Sequence, residues 1–566
     1  MKKAFITILA LILSVTLCIG CAPGNSGETT PSSTVESTPS KVESTGTPET
    51  TASPDTAPQS TPAPESESQV ETEATSEPES SDETVIESVP ETEPESTPSS
   101  EPETEPETEP ETEPEGKVTT APEPDETEPS ETEPDDGNTL NGVNISDYVI
   151  VYAADTIDYN VRAASYIREQ ILAATGVFLD IKNDSNEAAA HEIVVGETNR
   201  EISSKLDADT KGFEFALMSS DGHIAMEGDY FVIAAAAYYF IETYVETGED
   251  VPAEATVCEP IVEEAKNHIF LIGDGMGLYQ TLLFDVMKSS DVAYSDGEEM
   301  FYGYMFPYMG FARTDSLSGT TDSAAGGTAL ASGYKTQNGF VGLKGNRRTV
   351  KSLTEIAGSL GKSTAVMSTE VQTGATPSSF SAHAESRNDT DAILASQNEL
   401  VKEYGTIIKC NYDYYNVSGI RTIEKNINDT LAALSENENG FFLMYEEAHI
   451  DKHCHSNDMT KTFNAVVRFN QAIAVFMEYA FYNPDTFVII TADHETGKLL
   501  PSGGGYYSYG SGDHTSMYVP VFAYGDGAEL FDGKVIENIQ IPKTIASFWG
   551  VTVTGTSNER FPALKH

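Results

Sequence analysis

From about residue 268 onward, short apolar runs alternate with longer amphipathic ones. Runs at 269–273, 363–368, 441–446, 486–491 and 519–524 predict strands. Between the third and fourth of them, residues 460–482 repeat at helical spacing. Val466, Phe469, Ile473, Phe476, Met477 and Ala480 share one face there and are expected in the core. A second helical run, 324–332, stops at Gly333. Short apolar strands between helices predict an α/β fold of three layers, a largely parallel sheet covered on both faces. An earlier stretch repeats the pattern on a smaller scale. Strands are expected at 147–152 (DYVIVY), 191–196 (HEIVVG) and 213–217, with helices at 160–175 and 230–244. The chain has 566 residues, too long for one domain. It divides into a small α/β accessory domain at 138–264 and a larger α/β domain at 265–566.

Ahead of these lies sequence that cannot fold on its own. Residues 1–21 read as a signal peptide: Lys2 and Lys3 precede an apolar run, 4–17, that is too short to span a membrane. It ends Cys18-Ile19-Gly20-Cys21, which resembles a bacterial lipoprotein lipobox, with Cys18 where that pattern usually has Leu. Lipidation of Cys21 and a membrane-anchored place on the cell surface are expected. Residues 22–137 are almost wholly Glu, Thr, Pro and Ser, with a repeated Thr-Glu-Pro-Glu unit, and predict a disordered tether. They hold 33 acidic residues and two lysines, about half of the formal net charge of −59. Nothing strongly basic remains to neutralise phosphates, so a nucleic-acid partner is excluded. Cys258, Cys410 and Cys454 lie beyond the signal region and allow at most one internal disulfide. The 138–264 unit resembles the small α/β domains that precede catalytic domains in several bacterial carbohydrate-active enzymes. Spacer and binding accessory are both open for it.

In parallel sheets, ligands bind beyond the carboxyl ends of strands, so the polar residues there are the ones to inspect. Asp274 follows the first strand between glycines. Glu446 ends another, followed by Asp451 and His455, four apart and so on one helical face. His449 and His453 share that spacing, so spacing does not choose between the pairs. Asp493 and His494 follow a further strand, and His514 follows a Gly/Tyr-rich loop. Mixtures of carboxylate and imidazole suit Zn2+. Asp322-Ser323 stands before the 324–332 helix, where the helix dipole and free N–H groups favour an anion. A serine there is more often a plain N-cap. Small residues after it, Ala324 to Gly327, allow close approach. Each feature alone reads as structural; their recurrence at four strand ends points to a metal-dependent site.

Taken together these motifs resemble the alkaline phosphatase family over residues 268–551. The matching stretches are 272–277 (IGDGMG), 321–325 (TDSAA), 375–377 (ATP) with 382–387 (AHAESR), 441–452 around Glu446, 491–494 (TADH) and 514–515 (HT). The resemblance implies Ser323 as nucleophile and Arg387 as the phosphate clamp. It implies Asp451, His455 and His514 around one Zn2+, and Asp274, Asp493 and His494 around a second. Asp274, Thr376 and Glu446 would hold one Mg2+. The implied activity is hydrolysis of small phosphate monoesters, releasing inorganic phosphate.

Two departures from the family pattern stand out. Where relatives carry an acidic residue or His two positions before Thr376, this chain has Gly374, which removes a contact to the Mg2+ site. Only 19 residues separate His494 from His514, so an insertion that many relatives use for dimerisation is reduced, and a monomer is possible. Tyr506, Tyr507 and Tyr509 in that loop are expected either to line the mouth of the site or to sit in an exposed glycine-rich turn. Cys454 keeps open a minor role as a metal ligand. The competing functions are a phosphodiesterase of the same superfamily and a surface binding protein without catalysis.

Overall fold

The structure is a computed structural model that describes residues 138–154, 158–206, 208–287, 300–411, 422–554 and 560–565. The expected signal peptide, Cys21 and the tether lie outside the described residues.

A six-stranded sheet comes first. Its strands are β1 (Tyr148–Tyr152), β2 (Ile181–Asn183), β3 (His191–Val195), β4 (Phe215–Ser220), β5 (His223–Glu227) and β6 (Thr256–Cys258), in the order β2-β1-β3-β5-β4-β6. The first four in that order run parallel, and β4 is antiparallel to both its neighbours. Helices α1 (Asp158–Thr175) and α2 (Ile233–Phe240) pack on each other. The helix expected over 230–244 is broken into a 3-10 turn, α2 and a wider π turn closed by Glu246 N–H on the Ile241 carbonyl. The strand expected from Phe213 begins only at Phe215, because Phe213 leaves the sheet for an aromatic cluster described below.

The second sheet has eight strands. They are β7 (Asn267–Gly273), β8 (Tyr308–Arg313), β9 (Ser363–Ser368), β10 (Ile407–Cys410), β11 (Phe441–Glu447), β12 (Thr486–Thr491), β13 (Val519–Tyr524) and β14 (Val535–Glu537). The order is β10-β9-β11-β7-β12-β13-β8-β14, and only β13 runs against the rest. This is the largely parallel α/β sheet that the apolar runs predict. The central strands are buried along their whole length, as a sheet covered on both faces requires. Side-chain alternation along β11 identifies the two covers. Phe441 and Tyr445 meet Tyr479 and Phe469 of α6 (Met459–Tyr482). Phe442, on the opposite face, meets Phe380 of α4 (Ala375–Ser381) and Trp549. All six α6 positions expected in the core are fully buried.

The two sheets share one continuous hydrophobic core. Phe213 sits edge-on to Phe306, Phe481 and Tyr524 at 5.1, 5.2 and 5.4 Å between centroids. Phe231 stacks on Phe481 at 6.0 Å. Arg162 of α1 pairs with Glu478 of α6 at 2.7 Å. No helix among the described residues is long and apolar enough to cross a membrane.

Candidate active site

β7 is flanked by β11 and β12, in a register that pairs Ile272 with Glu446 on one side and Thr491 on the other. Asp274, Glu446 and Asp493 therefore emerge side by side at the carboxyl edge. Gly275 turns the chain there with φ +73°, and a Cβ on it would lie 2.8 Å from the Asp451 Cα. Both the left-handed backbone and the lack of space favour glycine.

Helix α5 (His449–His455) follows β11 and brings Asp451 and His455 to this edge. His514 arrives through a short ladder in which Thr496 pairs with His514. His455 Nε2 lies 3.3 Å from Asp451 Oδ2, His514 Nε2 3.4 Å from Oδ1, and the two Nε2 atoms are 3.0 Å apart. Their other ring nitrogens point outward, His455 Nδ1 to the Gly512 carbonyl at 2.7 Å and His514 Nδ1 to the Thr321 carbonyl at 2.9 Å. Such bonds set the tautomer and leave Nε2 free as a donor to a cation. Burial pushes the Asp451 carboxyl up, but hydrogen bonds from His455 and His514 outweigh it and hold the group below the usual carboxylate range.

The second cluster joins Asp274, Asp493 and His494, all buried. His494 Nε2 is 3.1 Å from Asp493 Oδ2 and 3.6 Å from Asp274 Oδ1, and it reaches Ser323 Oγ at 3.3 Å. Ser323 is not the cap of its helix. Asp322 takes that role, accepting the Ala325 N–H, and Ser323 is the first residue of α3 (Ser323–Ser332). The other Asp322 oxygen accepts the Gly339 N–H at 3.0 Å and holds Arg387 at 3.3 Å. The guanidinium is thus fixed next to the serine. Gly326 lets α3 approach closely: a Cβ there would stand 2.9 Å from the Asp493 carbonyl.

Asp274, Thr376 and Glu446 make an all-oxygen set. Asp274 Oδ1, Thr376 Oγ1 and Glu446 Oε1 are buried without a hydrogen-bond partner, as is Asp493 Oδ2 of the neighbouring cluster. Ser368 Oγ donates to the other Glu446 oxygen. Burial and neighbouring carboxylates push the Asp274 and Glu446 carboxyls well up. Several orphaned carboxylate oxygens in one buried place are costly without a cation to neutralise them. The two mixed His/Asp clusters match Zn2+ chemistry, and the oxygen set matches a hard ion such as Mg2+. The residues present fit these groups.

His449 and His453 stay out of both clusters. His449 Nδ1 instead faces Glu447 at 3.1 Å and Thr369 at 3.2 Å. The Cys454 thiol is buried and pushed up to about 11. It contacts Gln280, Thr462 and Tyr509 at 3.7 Å each, so it remains a packed thiol outside the ligand clusters. The expected Gly/Tyr loop is a hairpin, Leu499–Gly503 with Tyr506–Tyr509. Tyr509 turns inward to Thr462 at 2.7 Å, while Tyr506 stays exposed. One supporting residue escaped the sequence reading. Thr496 donates to Asp451 Oδ1 at 2.5 Å and contacts His494 Nδ1 at 3.2 Å. Asp322 was legible as the neighbour of Ser323 but not as the cap of α3, a role the sequence reading gave to the serine.

Residues 265–414 and 419–511 match the sequence model of the family described as "Alkaline phosphatase". Alkaline phosphatase 4 of Bacillus subtilis is 28% identical over 348 residues, covering 51% of this chain and 73% of that protein. Alkaline phosphatase 3 of the same organism is 25% identical over 340 residues, covering 50% and 71%. Among solved structures, the alkaline phosphatase from the Antarctic bacterium TAB5 is similar at 25% identity. That match covers 51% of this chain and 98% of that one, with a TM-score of 0.45. The fold and site define a metal-binding α/β hydrolase. This part of the chain belongs to the alkaline phosphatase family.

Proposed function

We propose that this protein hydrolyses phosphate monoesters through a phosphoserine on Ser323. The observation that carries the reading is the position of Ser323. Its hydroxyl lies at the head of α3, 3.3 Å from His494 Nε2, with Arg387 pinned by the adjacent Asp322. Asp451, His455 and His514 would hold one Zn2+, Asp274, Asp493 and His494 a second, and Asp274, Thr376 and Glu446 one Mg2+. When bound, these ions supply positive charge that lowers the serine pKa and stabilises the transferring phosphoryl group.

The chain's own residues do the rest. Arg387 offers a planar fork matched to two phosphate oxygens, where a lysine would offer a point charge. Ser323 Oγ gives up its proton and attacks phosphorus, a P–O bond forms, and the bond to the leaving alkoxide breaks, the alkoxide taking up that proton and departing as the alcohol. Water then attacks the phosphoserine and Ser323 Oγ leaves, releasing inorganic phosphate. The N–H groups at the start of α3 favour the negative charge throughout.

The test is turnover of an aryl phosphate against the matching diester and sulfate, with and without chelator. Monoester preference is expected. Loss with chelator is expected too, as is a fall of at least about 10³-fold in Ser323→Ala. Preference for the diester or sulfate would overturn the substrate class, and no turnover with Zn2+ and Mg2+ supplied would overturn catalysis. We also propose export and anchoring through Cys21, supported by the lipobox-like residues 18–21. Release of a Cys21→Ala variant from the membrane fraction would bear this out, and its retention would contradict it.

A further inference from the structure

Gly374 stands two residues before Thr376 of the oxygen-only cluster, and the space where a side chain would go is not empty. A Cβ built on Gly374 would lie 1.9 Å from Glu370 Oε1 and 2.2 Å from its Cδ. The carboxyl of Glu370 fills the position of the missing side chain. The backbone shows how. Residues 371–374 form a tight turn closed by the Gly374 N–H on the Val371 carbonyl at 2.8 Å, so the Glu370 side chain folds back over residue 374. Gly374 has φ −56° and ψ 156°, a conformation open to any residue. Glycine is needed there for room and not for backbone freedom.

The surroundings of Glu370 tie it to the same cluster. Its N–H donates to Ser368 Oγ at 3.0 Å, the hydroxyl that itself donates to Glu446. Its Oε2 pairs with Lys452 at 2.8 Å, the residue that follows Asp451. The Asp274 and Glu446 carboxyls lie within electrostatic reach of Glu370, and each keeps a buried oxygen without a hydrogen-bond partner.

We propose that Glu370 is a positioning residue for the third cation site, supplying from four residues upstream the carboxylate that Gly374 cannot. This rests on the metal-dependent reading above. A carboxylate beside an oxygen-ligated cation orients the ligand shell and raises affinity, typically by about 10- to 100-fold.

The experiment measures metal content and Mg2+ affinity of the full chain, by elemental analysis and equilibrium dialysis. It compares wild type, Glu370→Ala, Lys452→Ala and the double variant Glu370→Ala/Gly374→Asp. Wild type is expected to take up two Zn2+ and one Mg2+. Glu370→Ala should keep both Zn2+ and bind Mg2+ about 10- to 100-fold more weakly. The double variant, which returns the acid to position 374, should recover most of that loss. Unchanged Mg2+ affinity in Glu370→Ala would overturn the proposal. So would a loss fully reproduced by Lys452→Ala with no rescue by Gly374→Asp, which would make Glu370 only a partner of that lysine. A wild type that binds two Zn2+ and no third ion also overturns it, leaving the two-metal site intact. A wild type that binds no metal overturns the functional reading with it.

Discussion

Thr496 holds two ligand side chains at once, through Asp451 and His494. Thr496→Val keeps the shape and removes the hydroxyl. Zn2+ affinity should fall about 10- to 100-fold with little change in fold, which competition with a chromophoric chelator would measure. His455 predicts the pH dependence of the same site. Its hydrogen bond to Asp451 raises the imidazole to about 9 in the metal-free protein. Because the folded value is raised, the protonated pair stabilises the metal-free fold most below about pH 6.5 and ceases to as pH rises through about 9. A cation must displace that proton. Zn2+ affinity should therefore climb with pH up to about 9 and then level off, and a flat profile would contradict the assignment. The ligand types at these positions were legible in the sequence. Their choice was not: Asp451/His455 and His449/His453 have identical spacing, and only the rotation of α5 against its neighbours separates them.

At the scale of elements, α3 and the segment after β12 meet at Gly326. In an open helix, Gly→Ala would stabilise by about 1 kcal/mol. Here the new Cβ would stand 2.9 Å from the Asp493 carbonyl. Backbone cannot step aside as a flexible side chain can, and overpacking of this kind costs about 1–3 kcal/mol. The steric term should win, so Gly326→Ala should lower thermal stability and activity together. Unchanged stability would mean that α3 can slide. Strands β9, β12 and β13 match their apolar runs residue for residue, because a sheet buried on both faces writes itself as continuous hydrophobic sequence. The 499–509 hairpin and the broken 230–245 helix were less legible, since tight glycine turns and π turns answer to local packing.

For the whole molecule, the aromatic cluster of Phe213, Phe231, Phe306, Phe481 and Tyr524 makes residues 138–264 part of the core. Calorimetry should record one unfolding transition for the two sheets together, and two separated transitions would contradict the shared core. Phe213→Ala should cost about 3–5 kcal/mol and lower that single transition. The sequence by itself determined five of the eight strands of the larger sheet, the buried face of α6 and the chemical type of each ligand, since these follow from local periodicity and side-chain chemistry. Only the tertiary structure decided which residues converge, which imidazole nitrogen faces inward, and that Glu370 stands where Gly374 has nothing. Those depend on contacts between distant segments and on the space left between them, and neither is written in any one stretch of chain.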